Sequence, residues 1–489
     1  MRIKESFTFV IILSIAIIYH LLFSTSVYLE VFSHDSKVFQ AMGMSILQGH
    51  MPYVDMFDHK GIILYWINAI GIWIMPQGYG LLVLCIICMT ITLLLWLKTC
   101  TIFVSDWRRW MPMLIGILLL IVCIADGNMT EMWSLPFISY AIYLLARNIK
   151  NHYINKWHEN ILLGIGMGIV IFIRPNNLIP IAWYSLMYVV TCVVLSKYKQ
   201  AFLSFSVIGI GLLFTIAIIL WLYSLCYNDI FSLIYGTFLF NMKYATSIGG
   251  QFHIKTLFAP YLILFTCLLI TLFLVHKLIN GNEEIKDKRG EFVLWTYVIG
   301  AYVLTVYTMS KAYLDHYFIV IIPIFVLILI KPFTRCRKKP ILITTIFCVL
   351  FGAVSAGYGY YNTSIIDQKI DRFVRNNQHL KELDDYVATI PTEERNDIWN
   401  YTGRFVCINA LLHNQIIQRN RIILPFQLNI DKQLREIGSI QENEPKWLVI
   451  NPSRPWITKE DSIYVYSNYT KKYSSSIIAN ERVVFFRHK

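Results

Sequence analysis

The residues best suited to chemistry in this chain are carboxylates that fall between long apolar runs. The richest segment, Glu30 to Gly61, reads EVFSHDSKVFQAMGMSILQGHMPYVDMFDHKG; it holds Asp35, Asp55 and Asp58, and His59 and Lys60 follow at once. A second acidic stretch is Asp126-Gly127-Asn128-Met129-Thr130-Glu131. Arg174-Pro175-Asn176-Asn177 and Asp315-His316-Tyr317 add a guanidinium and an imidazole. Carboxylates serve as general bases and as ligands for hard cations, while Arg, Lys and His recognise anions. Each residue also has a plain structural reading. Asp35 before Ser36 can cap the helix that Val38, Phe39, Met42, Ile46 and Leu47 mark out at helical spacing as far as Gly49. Arg174 can be an arginine snorkelling from a helix end. His20 lies inside an apolar run and reads as a packed helix residue.

The elements that must carry these residues are membrane spans. Of 489 residues, 56% are hydrophobic and 15% charged, against roughly 25% charged in ordinary soluble proteins. The runs 7–28, 81–97, 178–195, 202–226, 257–275 and 318–330 contain no Asp, Glu, Lys or Arg. Several approach the ~20 residues that cross a ~30 Å hydrocarbon core. The first run is too long for a signal peptide, and no small-residue cleavage site follows it, so it reads as a span. The expected spans are 7–28, 79–97, 110–125, 132–146, 160–173, 178–195, 201–226, 257–276, 292–310, 317–330 and 340–360.

Whether 61–75 also crosses is decided by the basic residues. Over residues 1–360, if it does not, 19 Lys and Arg fall on the cytoplasmic side and 6 in the outer loops; if it does, the ratio inverts. The positive-inside bias therefore favours eleven crossings, with the N-terminus cytoplasmic and the C-terminus outside. This places Asp35, Asp55, Asp58, Asp126, Glu131 and Asp315 together on the outer face, where chemistry or binding is expected. The net charge of +13 is spread along the borders of the spans, so it implies topology and no nucleic acid. Of ten cysteines only Cys407 lies in the C-terminal part, which leaves no disulfide framework there. Cys85 and Cys88 sit in an apolar run without polar access and read as helix filler.

From Tyr361 the charged residues become frequent and the apolar runs shorten. Residues 371–389 and 431–442 read as helices, and 398–401, 421–425, 447–450 and 482–486 as short strands. The expected architecture is mainly α: a polytopic helical bundle over residues 1–360, with an outer loop 30–78 bearing a surface helix, and a small extracytoplasmic α/β domain over 361–489.

These motifs resemble those of the C-type membrane glycosyltransferases that use polyprenyl-phosphate sugars, in the branch of bacterial relatives of protein O-mannosyltransferases and aminoarabinose transferase. In that branch an Asp follows the first span, then a helix, then a stretch similar to Gly49–Gly61. The Asp126–Glu131 loop is similar to its G-N-x-T-E loop, Arg174–Asn177 to its R-P-N-N loop, and His316-Tyr317 to its late H-Y pair. The four matches stand in the expected order over roughly the first 320 residues.

The resemblance implies a transferase that inverts the anomeric centre and moves one sugar from a polyprenyl-phosphate carrier to an acceptor at the outer face of a bacterial plasma membrane. Asp35 is then the catalytic base. Glu131 or Asp126 positions the acceptor or the base, and the spacing leaves open which. Arg174, Lys60, His59, Asp58, His316 and Tyr317 form the donor and phosphate site, with Arg174 the strongest because a guanidinium grips two phosphate oxygens. No cofactor and no metal are expected, although Asp35, Asp126 and Glu131 are hard oxygen ligands of the type a divalent cation takes. The acceptor is a surface glycan, a lipid or a protein. The competing readings are a transporter or flippase, which ordinarily buries ionisable residues at the membrane midplane, and a polysaccharide polymerase or ligase with related lipid-phosphate chemistry.

Overall fold

The computed structural model describes residues 2–23, 34–75, 78–123, 127–151, 154–248, 260–280, 288–309, 315–335, 378–379, 381–402, 405–416, 427, 430–431, 438–452, 458–475 and 482–489. In chain order the helices are α1 (Arg2–Phe23), α2 (His34–Leu47), α3 (Ile62–Ile74), α4 (Tyr79–Thr101), α5 (Trp110–Cys123), α6 (Thr130–Asn151), α7 (Trp157–Ile171), α8 (Ile179–Val194), α9 (Tyr198–Tyr227), α10 (Ile230–Ile234), α11 (Phe240–Ile248), α12 (Pro260–Asn280), α13 (Lys288–Met309) and α14 (Ile322–Arg335), then α15 (Phe405–His413) and α16 (Lys459–Asn468).

The protein is a multi-pass membrane protein, mainly helical. Five stretches among the described residues have the length and apolarity to cross a bilayer: Tyr79–Thr101, Pro175–Val194, Tyr198–Tyr227, Gly290–Thr308 and His316–Thr334. Helices also cover the described parts of the other expected spans, while 340–360 lies outside the described residues. In α3 the 13 residues rise only about 20 Å at 1.5 Å each, short of a ~30 Å hydrocarbon core.

Contacts divide the chain into two compact units. The first comprises residues 1–24, 84–228 and 248–356. Its core is aliphatic and aromatic, with Trp96, Tyr184, Tyr297, Phe265, Phe318 and Phe325 fully buried. Phe202, Phe205, Leu213, Phe214 and Trp221 on α9 remain exposed, as the lipid-facing side of a span does. Helices α7 and α9 pack closely because Gly164 brings the backbones together; a Cβ there would lie 2.1 Å from the Ile208 carbonyl oxygen. His20 is buried against the Tyr19 ring.

The second unit comprises residues 25–83, 229–247 and 357–489. Helix α2 packs on α3, and α15 packs on α2. The C-terminal segment forms a four-stranded sheet in the order β1-β2-β4-β3, with β1 (Ile398–Tyr401), β2 (Trp447–Ile450), β3 (Tyr469–Ser474) and β4 (Val484–His488). β1 and β2 are parallel, with Ile398 opposite Trp447. β4 runs antiparallel to both β2 and β3. The strand expected at 421–425 lies outside the described residues, as do residues 432–437 of the helix expected at 431–442, whose described end holds the short helix Ile440–Asn443. The fourth strand, β3, was not expected from sequence. It is an edge strand whose inner residues Thr470, Lys471 and Lys472 are exposed, so it lacks apolar alternation, and its lysines disfavour pairing with another chain.

Candidate functional site

Each unit contains a polar cluster that gathers residues singled out from the sequence. In the first unit, Asn128 takes a left-handed turn (φ 62°), which Asn tolerates, and the chain enters α6 two residues later. This puts Glu131 in the first turn of α6, only 1% exposed. Arg174 follows α7, its amide bonded to the Val170 carbonyl at 2.9 Å. Pro175 forces it into extended backbone (φ −162°, ψ 117°) and starts the short 3-10 turn Pro175–Leu178. The Arg174 Nη1 donates to Glu131 Oε1 across 43 residues of sequence. Its guanidinium carbon stands 4.2 Å from the centroid of the Tyr317 ring, a cation–π contact.

Further groups complete this cluster. Thr130 donates to Glu131 Oε2 at 2.8 Å. Asn177 donates to Ser134 at 3.0 Å, and Trp133 to Asn128 at 2.9 Å. His316, buried, meets the Tyr317 ring edge-on. Glu131, Arg174, Asn176, Asn177, Thr305 and Tyr317 line a narrow cleft. Thr305 on α13 was not foreseen from sequence; its buried hydroxyl has no hydrogen-bond partner among the described residues. Four of the expected site residues, Glu131, Arg174, His316 and Tyr317, are thus one cluster, while Asp126 lies outside the described residues. Glu131 was expected beside the acceptor or the base; its carboxylate is engaged by Arg174.

The second unit holds Asp35 and the Asp58-His59-Lys60 turn. Asp35 is half-buried in the first turn of α2, one residue inside a helix that starts at His34, where the helix dipole favours a negative charge. The turn before α3 is built around Tyr53, whose φ of 67° is unusual for a bulky residue. Its ring packs against Gly236, where a Cβ would come within 2.1 Å. Its hydroxyl donates to the Lys60 carbonyl at 2.7 Å. Tyr65 on α3 accepts from the Lys60 amide at 3.0 Å and donates to Asp58 Oδ2 at 2.9 Å.

Asp58 Oδ1 lies 3.2 Å from His59 Nδ1, and His59 Nε2 lies 3.0 Å from the Lys60 ammonium. Burial by itself would raise the Asp58 carboxyl, but the hydrogen bonds from the neighbouring His59 and the charge of Lys60 outweigh it. They hold the group well below the usual carboxylate range, so it is ionised. The His59 ring stacks on Tyr244 with centroids 4.7 Å apart, and Asn241 donates to the His59 carbonyl at 2.6 Å. From the C-terminal segment, Gln427 Nε2 comes within 3.4 Å of Asp58 Oδ1 and 3.2 Å of His59 Nδ1. Tyr235 and Lys243 (the latter at 2.6 Å) both bond to Asp431 of the same segment. Among the described residues no three His, Cys, Asp or Glu side chains converge in a way that holds a metal ion.

The family model described as the competence-induced Ccs4 N-terminal domain matches residues 1–345. The chain belongs to this family. No curated protein matches it. Among solved structures, ArnT from Cupriavidus metallidurans bound to undecaprenyl phosphate superposes with a TM-score of 0.60 at 12% identity, covering 98% of this chain and 97% of that one. ArnT from the same organism in the apo state gives 0.61 at 11% identity, covering 99% and 98%. At such identity the likeness speaks for the fold. The fold is that of the C-type membrane glycosyltransferases, and this family member has it over almost its whole length.

Proposed function

We propose that this protein is a glycosyltransferase that moves a sugar from a polyprenyl-phosphate carrier to an acceptor hydroxyl, inverting the anomeric centre. What carries the reading is one observation: in a fold that in ArnT holds undecaprenyl phosphate, this chain supplies two cations, Arg174 and Lys60, each anchored by a carboxylate-bearing cluster. The leaving group suits such cations, because a phosphate diester becomes a monoester and gains negative charge. A guanidinium offers two parallel donors to phosphate oxygens, and an ammonium a compact point charge.

In this reading the acceptor oxygen forms a bond to the anomeric carbon as the bond from that carbon to the phosphate oxygen breaks. The acceptor proton passes to the Asp35 carboxylate, which is half-buried and keeps access to solvent. The polyprenyl phosphate departs from the opposite face of the sugar. Glu131 supports Arg174, Asp58 supports His59 and Lys60, and Tyr317 flanks the guanidinium with His316 edge-on to its ring. We place the reaction at the outer face of a bacterial plasma membrane, with the N-terminus cytoplasmic, and assign it no metal and no cofactor beyond the lipid-linked donor.

The test is a transfer assay. Detergent-solubilised protein is incubated with a panel of radiolabelled polyprenyl-phosphate sugars and an extract of surface glycan, lipid and protein acceptors. Release of polyprenyl monophosphate together with a labelled acceptor of inverted configuration is the expected result. If every donor in the panel stays intact while a control transferase consumes its own, the reading is wrong.

A further inference from the structure

Gln427 is fully buried, although an amide is costly to bury unless both its ends are bonded. Among the described residues only its nitrogen end is used. Nε2 reaches Asp58 Oδ1 and His59 Nδ1. Its Oε1 has no partner among the described residues. An apolar side chain of the same length would fill this place without leaving an orphaned acceptor. The residue's contribution must therefore lie in the two groups its nitrogen touches.

The protonation pattern follows from donor and acceptor chemistry. An ammonium has three donors and no acceptor, so His59 Nε2, 3.0 Å from Lys60 Nζ, must accept. The imidazole proton then sits on Nδ1, 3.2 Å from Asp58 Oδ1. Gln427 Nε2 is a second donor to the same oxygen at 3.4 Å, and the 3.2 Å between the two nitrogens is the spacing of two donors converging on one acceptor. Tyr65 occupies the other oxygen. The result is a chain in which an anion orients an imidazole and the imidazole orients a cation. Lys60 donates one N–H inward to His59, and its ammonium has two further N–H bonds to offer a ligand.

We propose that Gln427 is a positioning residue: by fixing Asp58 and His59, the C-terminal segment aims the Lys60 ammonium at the phosphate of a lipid-linked donor. This rests on the proposed donor chemistry, but its geometric half, that Gln427 restrains Lys60, stands or falls separately. It also gives the C-terminal segment a part in the chemistry, which its own residues do not suggest from sequence.

Two readouts on the full chain in detergent separate the halves. The first is the rate at which an amine-acylating reagent labels Lys60, read by peptide mass spectrometry. The second is affinity for a polyprenyl monophosphate, with inorganic phosphate run in parallel. Gln427→Leu is expected to raise Lys60 labelling and to weaken lipid-phosphate binding, each by about tenfold, the worth of one hydrogen bond to a charged group. His59→Asn is expected to do the same, and the double variant to be no worse than either alone, because Gln427 acts through His59. Loss of packing alone would instead add. Gln427→Met carries the same expectation if the leucine variant fails to accumulate. Unchanged Lys60 labelling in folded Gln427→Leu or Gln427→Met overturns the inference. If labelling responds but the wild type binds no polyprenyl monophosphate, or binds inorganic phosphate equally well, the positioning stands and the lipid-donor assignment falls.

Discussion

Breaking the Glu131–Arg174 pair tests the first cluster most sharply. Arg174→Ala leaves a carboxylate that is 1% exposed without its cation, which costs about 3–5 kcal/mol for a buried pair. Loss of the stack on Tyr317 removes roughly a further 0.5–2 kcal/mol. Glu131→Gln is milder, because the remaining guanidinium is 15% exposed and keeps its aromatic partner; about 1–3 kcal/mol is expected. The double variant should recover about 2 kcal/mol relative to the sum of the singles, since no buried charge is then left alone. Equilibrium unfolding in detergent micelles, followed by the helical signal, measures all three. If Arg174→Ala lies within about 1 kcal/mol of wild type, or the two losses simply add, the cluster is not organised around this ion pair.

Other expectations follow from the same geometry. Gly236→Ala should destabilise the second unit by about 1–3 kcal/mol, because the new methyl would collide with the Tyr53 ring; unfolding of the variant checks it. Glu394, bonded to Trp447, Lys446 and Arg487, has its carboxyl held down to about 2, chiefly by the hydrogen bond from Arg487. Its folded-state value lies below the unfolded one, so its stabilisation is present above about 4.5 and fades as pH falls towards about 2. Acid unfolding in that window should flatten in Glu394→Gln, and an unchanged acid limb would contradict the assignment. Arg174→Lys should keep the fold yet weaken donor binding by about tenfold, since an ammonium cannot make two parallel bonds to a phosphate; donor KM against kcat separates the two effects.

The helices were legible because lipid imposes long apolar stretches broken by charge, and β1 and β2 because their short apolar runs are bounded by polar residues. The edge strand β3 escaped because Thr470, Lys471 and Lys472 face solvent and leave no alternation to read. The Asp58-His59-Lys60 turn was visible because its chemistry is contiguous. Its supports were not. Tyr65 hides in the apolar run of α3, and Gln427 reaches the turn from 369 residues away with no local signature. Glu131 and Arg174 each stood out as charged residues in polar loops, but their pairing depends on how α6 and α7 pack, which spacing does not encode.

The base is the residue on which the enzymatic account turns. In the transfer assay with a labelled lipid-linked sugar, Asp35→Asn keeps the shape of the first turn of α2 and removes only the proton acceptor. With Asp35 as the base, kcat falls at least about a hundredfold with little change in donor KM. Activity equal to wild type would contradict it.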